Sequence, residues 1–294
     1  MLRSYLIATL RNLRRHRMYA VINVCGLAAA FVVTIIVGLF AHADLIWDDF
    51  HVNAERVYQA YVTRPDYPHS EGLVDQFAWT PKALGAELMS TVPGVLRSVR
   101  TDGEFGLVRY GDRVSGEWGQ HADSGFFEMF SFELLAGDPA TALEDPHSIV
   151  LSQKLASTLF ADQDAMGQSL LLRRGGASED FVVTGVAADV PYESTLQFDW
   201  VIPFSHLVAR SGARGQVDPW DFGGNTYLEI ADSTAVQAAL AFDLGRHLPD
   251  HGLELVPLLD LRLHPQVGES HPVLLYSYGF IAFLVLLLAC INFA

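Results

Sequence analysis

Hydrophobic and polar positions fall into three regimes along the 294 residues. From Tyr19 to Ala41, 23 consecutive residues carry no formal charge and include Val32-Val33-Thr34-Ile35-Ile36-Val37. About 20 such residues cross a hydrocarbon core roughly 30 Å thick. A second uncharged run goes from Pro272 through Phe280-Ile281-Ala282-Phe283-Leu284-Val285-Leu286-Leu287-Leu288 to Ala294. The pattern therefore predicts two transmembrane helices, over 19–41 and 272–294. Between them, periods of two and of 3.6 residues interleave. Val57 to Val62 alternates β-formers, and Phe105–Tyr110 and Arg113–Trp118 flank a Gly111-Asp112 turn as a hairpin. Thr80-Pro81 carries the signal for a helix to about Ser90, a cap residue followed by proline at the first helical position. Ser148–Leu151 reads as a strand, Ser152 as the cap of a helix to Phe160, and Gln168–Leu172 and Phe181–Ala187 as two strands joined by a loop over 173–180. A helix over Ser233–Arg246 and a final strand or pair over Leu253–Leu263, broken at Pro257, complete the pattern. No internal repeat or low-complexity linker interrupts it.

The expected fold class is thus an α+β extracytoplasmic domain, a mixed sheet with helices in two subdomains, flanked by two transmembrane α-helices. The domain spans 42–271. Residues 1–18 precede the first span as a cytoplasmic amphipathic helix, and the second span, 272–294, is expected to be truncated at its carboxyl end.

Charge placement orients this scheme. Of 19 basic and 34 acidic residues, the first 43 positions hold Arg3, Arg11, Arg14, Arg15 and Arg17 and no acid. Such a bias keeps the amino end in the cytoplasm. The 42–271 segment then faces outward with 34 acids against 14 bases, a net charge of −20. A chain this acidic lacks the basic footprint that nucleic acid requires. Leu2, Leu6, Leu10 and Leu13 share a helical sector about 80° wide, with Arg3, Arg11, Arg14 and Arg15 in the neighbouring one. These arginines either meet membrane lipid headgroups or an ATPase subunit, or act only as a topology signal. Ala41-His42-Ala43 also fits a signal-peptidase site, but the apolar stretch is about twice the length of a usual signal core.

Candidate chemistry is sparse. Cys25 and Cys290 lie in opposite apolar runs and define no disulfide framework. There is no phosphate-binding Gly-Lys-Ser/Thr loop, no His-Glu-x-x-His and no close cysteine pair, so nucleotide hydrolysis and the common zinc chemistries lack their ligands. His247 and His251 have helical metal-site spacing, but Pro249 between them disfavours the helix. His264 and His271 read as polar loop residues. No Gly-x-Ser-x-Gly elbow appears. No catalytic residue, metal site or cofactor is expected.

Several short motifs in collinear order resemble one family. Arg11-Asn12-Leu13-Arg14-Arg15-His16-Arg17, Tyr19, Ile22-Asn23 and Gly26-Leu27 are similar to the start of MacB-like and FtsX-related ABC transporter permeases. Asp49-Phe50-His51, Asn53-Ala54-Glu55-Arg56-Val57-Tyr58, Ala122-Asp123 and Phe126-Phe127-Glu128-Met129-Phe130 resemble their periplasmic core domain. Gly137-Asp138-Pro139, Ser148-Ile149-Val150-Leu151-Ser152, Val183-Thr184-Gly185-Val186, Asp189-Val190-Pro191 and Ala289-Cys290-Ile291-Asn292-Phe293 continue the match. Structural roles suit these positions: a turn at Gly137-Asp138-Pro139, a cap at Ser152, close backbone approach at Gly185 and a strand end at Asp189–Pro191. Departures are Ala28-Ala29-Ala30, where the family often has a second glycine, and Ala165-Met166 before Gly167, where proline is common.

The resemblance implies an inner-membrane permease subunit, multi-pass, its large domain periplasmic. A separate cytoplasmic ABC ATPase would move the membrane helices and so reshape that domain. Further implied partners are a second permease copy and a periplasmic adaptor, and the implied cargo is a macrolide, peptide or lipoprotein. In the family further spans follow the second helix. The same topology also fits a membrane-tethered sensor, or a regulator of periplasmic partners that transports nothing.

Overall fold

The computed structural model describes residues 17–64, 75–161, 163–212, 218–264 and 272–293. The cluster Arg3, Arg11, Arg14 and Arg15, with the amphipathic helix expected there, lies outside the described residues. The chain divides into two compact units, Met1–Ile46 with Leu263–Ala294, and Trp47–Arg262.

Two helices make up most of the described residues of the first unit. Helix α1 runs from Arg17 to Leu45, longer at both ends than the apolar run that predicts it. Among the described residues it is the one helix long and apolar enough to cross a membrane. The carboxyl-terminal helix, α7, runs from Pro272 to Phe293, with an apolar core over Tyr276–Ile291. The two pack against each other. Among the described residues Ala30 and Ala282 are buried, while Phe31, Ile35, Phe283 and Leu288 stay exposed. Small side chains let helix backbones approach, and outward-facing apolar ones suit lipid. Thr34 donates its hydroxyl to the Ala30 carbonyl at 2.8 Å, so the helix carries no unpaired polar group there.

Among its described residues the second unit is built on twelve strands in chain order: β1 Val57–Arg64, β2 Asp75–Phe77, β3 Trp79–Pro81, β4 Val95–Tyr110, β5 Arg113–Ala122, β6 Leu134–Ala136, β7 Ser148–Ser152, β8 Ser169–Arg174, β9 Ala177–Ala187, β10 Trp200–Pro203, β11 Phe222–Ile230 and β12 Gly252–Pro257. Its helices are α2 Leu84–Thr91, α3 Phe126–Met129, α4 Gln153–Phe160, α5 Phe204–Gly212 and α6 Ser233–Leu240.

Two halves share the 16-residue strand β4. Its first part, Val95–Thr101, pairs with β11, continuing the antiparallel order β12–β1–β11–β4. Leu84 and Leu88 of α2 and Ala235 and Ala239 of α6 join Ala60, Val62, Leu228 and Ile230 in one core. The second part of β4 pairs with β5 on one side and β8 on the other. From β5 the pairing passes through β10, β7 and β9 to β8 and back to β4, closing six strands into a barrel. Its interior holds Val108, Ile149, Leu151, Leu170, Leu172, Phe181, Val183 and Trp200, and α4 adds Leu155, Leu159 and Phe160. Alternation explains the barrel: Gly106 and Val108 face inward while Phe105 and Leu107 face out.

Several elements differ from expectation. Thr80 and Pro81 belong to β3 rather than a helix, because the Thr80 and Thr226 hydroxyls form a buried hydrogen-bonded pair, 2.6 Å apart, and α2 starts only at Leu84. The loop expected over 173–180 shrinks to two residues: Gly175 and Gly176 both take positive φ, 52° and 85°, and make a tight hairpin turn. The helix at 233–246 stops at Leu240 and continues as a 3₁₀ turn over Leu244–Arg246. Past Pro257 the chain likewise forms a 3₁₀ segment, Leu258–Leu263.

Candidate functional site

The segment following α1 enters the folded unit as Trp47-Asp48-Asp49-Phe50-His51. Asp48 has φ of 60°, the left-handed region that aspartate tolerates better than most residues, and this kink turns the chain inward. Its buried carboxylate accepts from the Thr195 backbone N–H at 2.8 Å and from the Thr195 hydroxyl at 2.5 Å. The Asp48 N–H donates to the Glu193 carbonyl at 2.9 Å. Trp47 donates its indole N–H to the Thr195 hydroxyl at 3.1 Å, so one threonine in the loop between β9 and β10 receives both residues. Burial raises the Asp48 carboxyl above its ordinary range, and the hydrogen bonds from Thr195 oppose that rise.

Beyond this kink, Phe50 and His51 seat on an aromatic cluster. The His51 ring lies 5.0 Å from Phe132 and 5.6 Å from Phe130, and Phe50 lies 5.8 Å from Phe132. Phe126 and Phe198 extend the cluster, and Phe130 reaches the buried Tyr227 of β11 at 5.1 Å. Two motifs far apart in sequence, Asp49-Phe50-His51 and Phe126–Phe130, thus form a single packing site.

The other end of the folded unit closes on the same place. The Arg262 guanidinium stacks over the Trp47 ring at 3.9 Å from its centroid. A cation over an indole face is favourable, most so where water is excluded. The residues at which the unit begins and ends are therefore in direct contact.

His51 is 3% exposed and neither ring nitrogen is hydrogen-bonded; the nearest carboxylate oxygen, on Asp48, lies 3.8 Å away. Burial pushes its pKa down to about 4. The unfolded chain binds a proton on His51 near pH 6.5, the folded chain only near 4, so stability is full above the upper value and declines as pH falls through the window. This residue is expected to cost about 2 kcal/mol between pH 7 and pH 4.5. Asp48, with a raised pKa, works in the opposite sense. Urea unfolding at both pH values, wild type against His51→Phe, isolates the histidine; an equal pH dependence in the two proteins would refute the assignment.

The remaining motif residues hold local structure. Asp49 and Arg56 are exposed and Tyr58 packs against the core containing Ala60 and Val62. Gly137 has φ of 98°, and a Cβ there would stand 2.5 Å from the Thr184 carbonyl oxygen, so no other residue fits. Asp138 accepts from the Ala140 N–H at 3.0 Å, and Pro139 follows it at the surface. Ser152 caps α4 by accepting from the Leu155 N–H, and Asp189 accepts from the Lys154 N–H at the same helix start. Gly185 faces Val150 across the β7–β9 pair, and the Pro191 carbonyl accepts from the Gln197 amide at 2.8 Å. Arg17 opens α1. His247 stacks on Trp220 and His251 bonds the Pro249 carbonyl, so the two imidazoles do not converge.

A second polar cluster escaped the sequence reading. At one mouth of the barrel, Arg174 of β8 points Nη1 at Glu104 (3.4 Å) and His121 (3.2 Å), and Nη2 at Glu179 (3.1 Å) and His206 of α5 (2.7 Å). His121 lies 2.9 Å from Glu104 and His206 lies 3.1 Å from Glu179. The cluster joins both hairpins to α5 and closes the apolar interior. Among the described residues no group of three or more histidine, cysteine, aspartate or glutamate side chains forms a metal site.

The arrangement defines a class: a folded unit whose first and last residues are fastened together, in a chain that also holds apolar helices. The sequence profile of the MacB-like periplasmic core domain matches residues 20–241, and the chain belongs to that family. A domain from Porphyromonas gingivalis assigned to a permease has the same fold, with a TM-score of 0.55 at 17% identity over 77% of this chain and 97% of the other. Further similar structures are the extracellular domain of the ABC-type transporter YknZ from Gram-positive bacteria (TM-score 0.48, 14% identity, 67% of this chain and 99% of the other) and the periplasmic region of MacB from Actinobacillus actinomycetemcomitans (0.47, 13%, 69% and 91%). No curated protein matches the chain significantly in sequence.

Proposed function

We propose that this chain is a permease subunit of an ABC transporter in which a separate cytoplasmic ATPase moves the membrane helices and the extracytoplasmic domain responds. Helix α1 spans the inner membrane with its arginine-rich end in the cytoplasm, α7 returns, and the acidic unit faces outward. The observation that carries this reading is the attachment itself: Trp47 and Asp48, two and three residues after α1 ends, are bonded to Thr195 in the loop between β9 and β10. In this reading a displacement of α1 is passed on through residues 43–49, whose Trp47 and Asp48 bond the loop before β10. A second permease copy, a second ATPase, lipid headgroups at Arg3, Arg11, Arg14, Arg15 and Arg17, and an adaptor on the outer side complete the assembly. Export of an amphipathic peptide, macrolide or lipoprotein follows from the same reading.

The test places cysteines in 43–49 and 268–272 of a variant lacking Cys25 and Cys290, reconstituted with its ATPase. Crosslinking yields across the two junctions are expected to differ with and without ATP, and Thr195→Val is expected to abolish the difference while ATP hydrolysis persists. Identical yields in both nucleotide states would end the coupling proposal.

A further inference from the structure

Exposed sheet faces are normally polar, and the outer face of the β4–β5 hairpin is not. Phe105 and Trp118 stand directly opposite each other in register, as do Leu107 and Gly116, and Arg109 and Val114. Trp118 is 62% exposed, Val114 57%, Phe105 48% and Leu107 36%. The rings of Phe105 and Trp118 pack edge to face, 5.8 Å apart. Gly116 makes the arrangement possible, since a Cβ there would sit 2.9 Å from the Phe105 ring. The patch is therefore held in shape by its own sheet. Together these side chains present on the order of 400 Å² of apolar surface, within the range that marks interaction sites on monomers.

Charge narrows the choice of partner. Arg109 continues the face beyond Leu107, and Arg173 of β8 lies opposite Leu107. Both are exposed, and neither forms an ion pair among the described residues. On β9 the carboxylate Asp180 shares the face, beyond Leu171. The patch is thus apolar with a basic rim, on a segment that carries 34 acids against 14 bases. Its area is about half of what one partner contributes to a standard stable interface, which argues against a second copy of this domain and for a short segment.

We propose that this face docks an amphipathic, acidic segment of a partner protein, with apolar side chains laid across Phe105, Leu107, Val114 and Trp118 and carboxylates paired with Arg109 and Arg173. The site lies on the outside of the barrel, and the coupling proposal neither requires nor supplies it.

The test uses the full chain in phosphatidylcholine nanodiscs and a fluorescein-labelled, helix-forming 18-residue peptide with Leu and Phe on one face flanked by Glu. Fluorescence anisotropy is expected to show saturable binding that weakens with salt. Arg109→Glu/Arg173→Glu and Phe105→Ser/Trp118→Ser are each expected to raise Kd at least tenfold, and a Lys-for-Glu peptide to bind at least tenfold more weakly. Equal binding of a scrambled peptide, or undiminished binding by the arginine variant, would overturn the proposal. So would capture of the chain by phosphatidylglycerol liposomes through the two arginines without peptide binding, which would assign the face to lipid. Should the aromatic variant misfold, the arginine variant decides alone, because its side chains lie outside the packed interior.

Discussion

Arg174→Ala is expected to destabilise the folded unit by about 4 kcal/mol, because it leaves Glu104 and Glu179 facing each other across a barrel mouth without their shared cation. The guanidinium side chain is 1% exposed and reaches four partners on four elements, so no single neighbour can replace the bridge it makes. In a unit of this size that loss lowers Tm by roughly 10 °C. Arg174→Lys is expected to recover less than half, since an ammonium cannot reach both carboxylates with a fork. A titration provides an independent readout. His206 is held below its ordinary pKa by burial first and by the Arg174 charge second, with Glu179 opposing. Its NMR titration midpoint is therefore expected to rise in the alanine variant. A midpoint that stays in place, with an unchanged melting temperature, would show that the cluster does not act as a unit.

The second large effect comes from a slot filled by Trp200. A Cβ on Gly119 would lie 2.0 Å from the Trp200 ring, and one on Gly106 would lie 3.0 Å from it. Two glycines on neighbouring strands thus flatten the barrel wall to admit the largest fully buried side chain. The Trp200 indole N–H donates to the Glu117 carbonyl at 3.1 Å, which fixes the ring in the slot. Trp200→Ala is expected to cost about 4 kcal/mol through its cavity. Gly119→Ala should cost about 3 kcal/mol, because the ring has no room to retreat. The double variant is expected to cost at least 1 kcal/mol less than the two combined, since the added methyl occupies part of the space left by the ring. Strict additivity in chemical unfolding would refute the slot.

What the sequence discloses here depends on how local the determining forces are. The apolar helices follow from length alone, and the Gly111-Asp112 hairpin from its turn residues and flanking β-formers. The start of β4 does not, because Arg97, Ser98 and Arg100 dilute its alternation and its partners on β11 lie more than 120 residues away. Thr80-Pro81 carries a good local helix signal that long-range pairing with β11 overrides. Of the attachment site, Phe50 and His51 are visible as a motif, while Asp48 is not. Its role depends on Thr195, 147 residues away, and on a left-handed backbone angle that no spacing reveals. The Arg174 cluster is hidden for the same reason, drawing one or two residues from each of several segments.

Contact between Trp47 and Arg262 bears on how such a chain can be altered over evolutionary time. A body whose first and last residues touch behaves as a cassette: it can be exchanged for a relative, enlarged, or excised and its cut ends rejoined by a short bridge, with little demand on the helices that flank it. Change in the folded unit is thereby separated from change in the apolar helices.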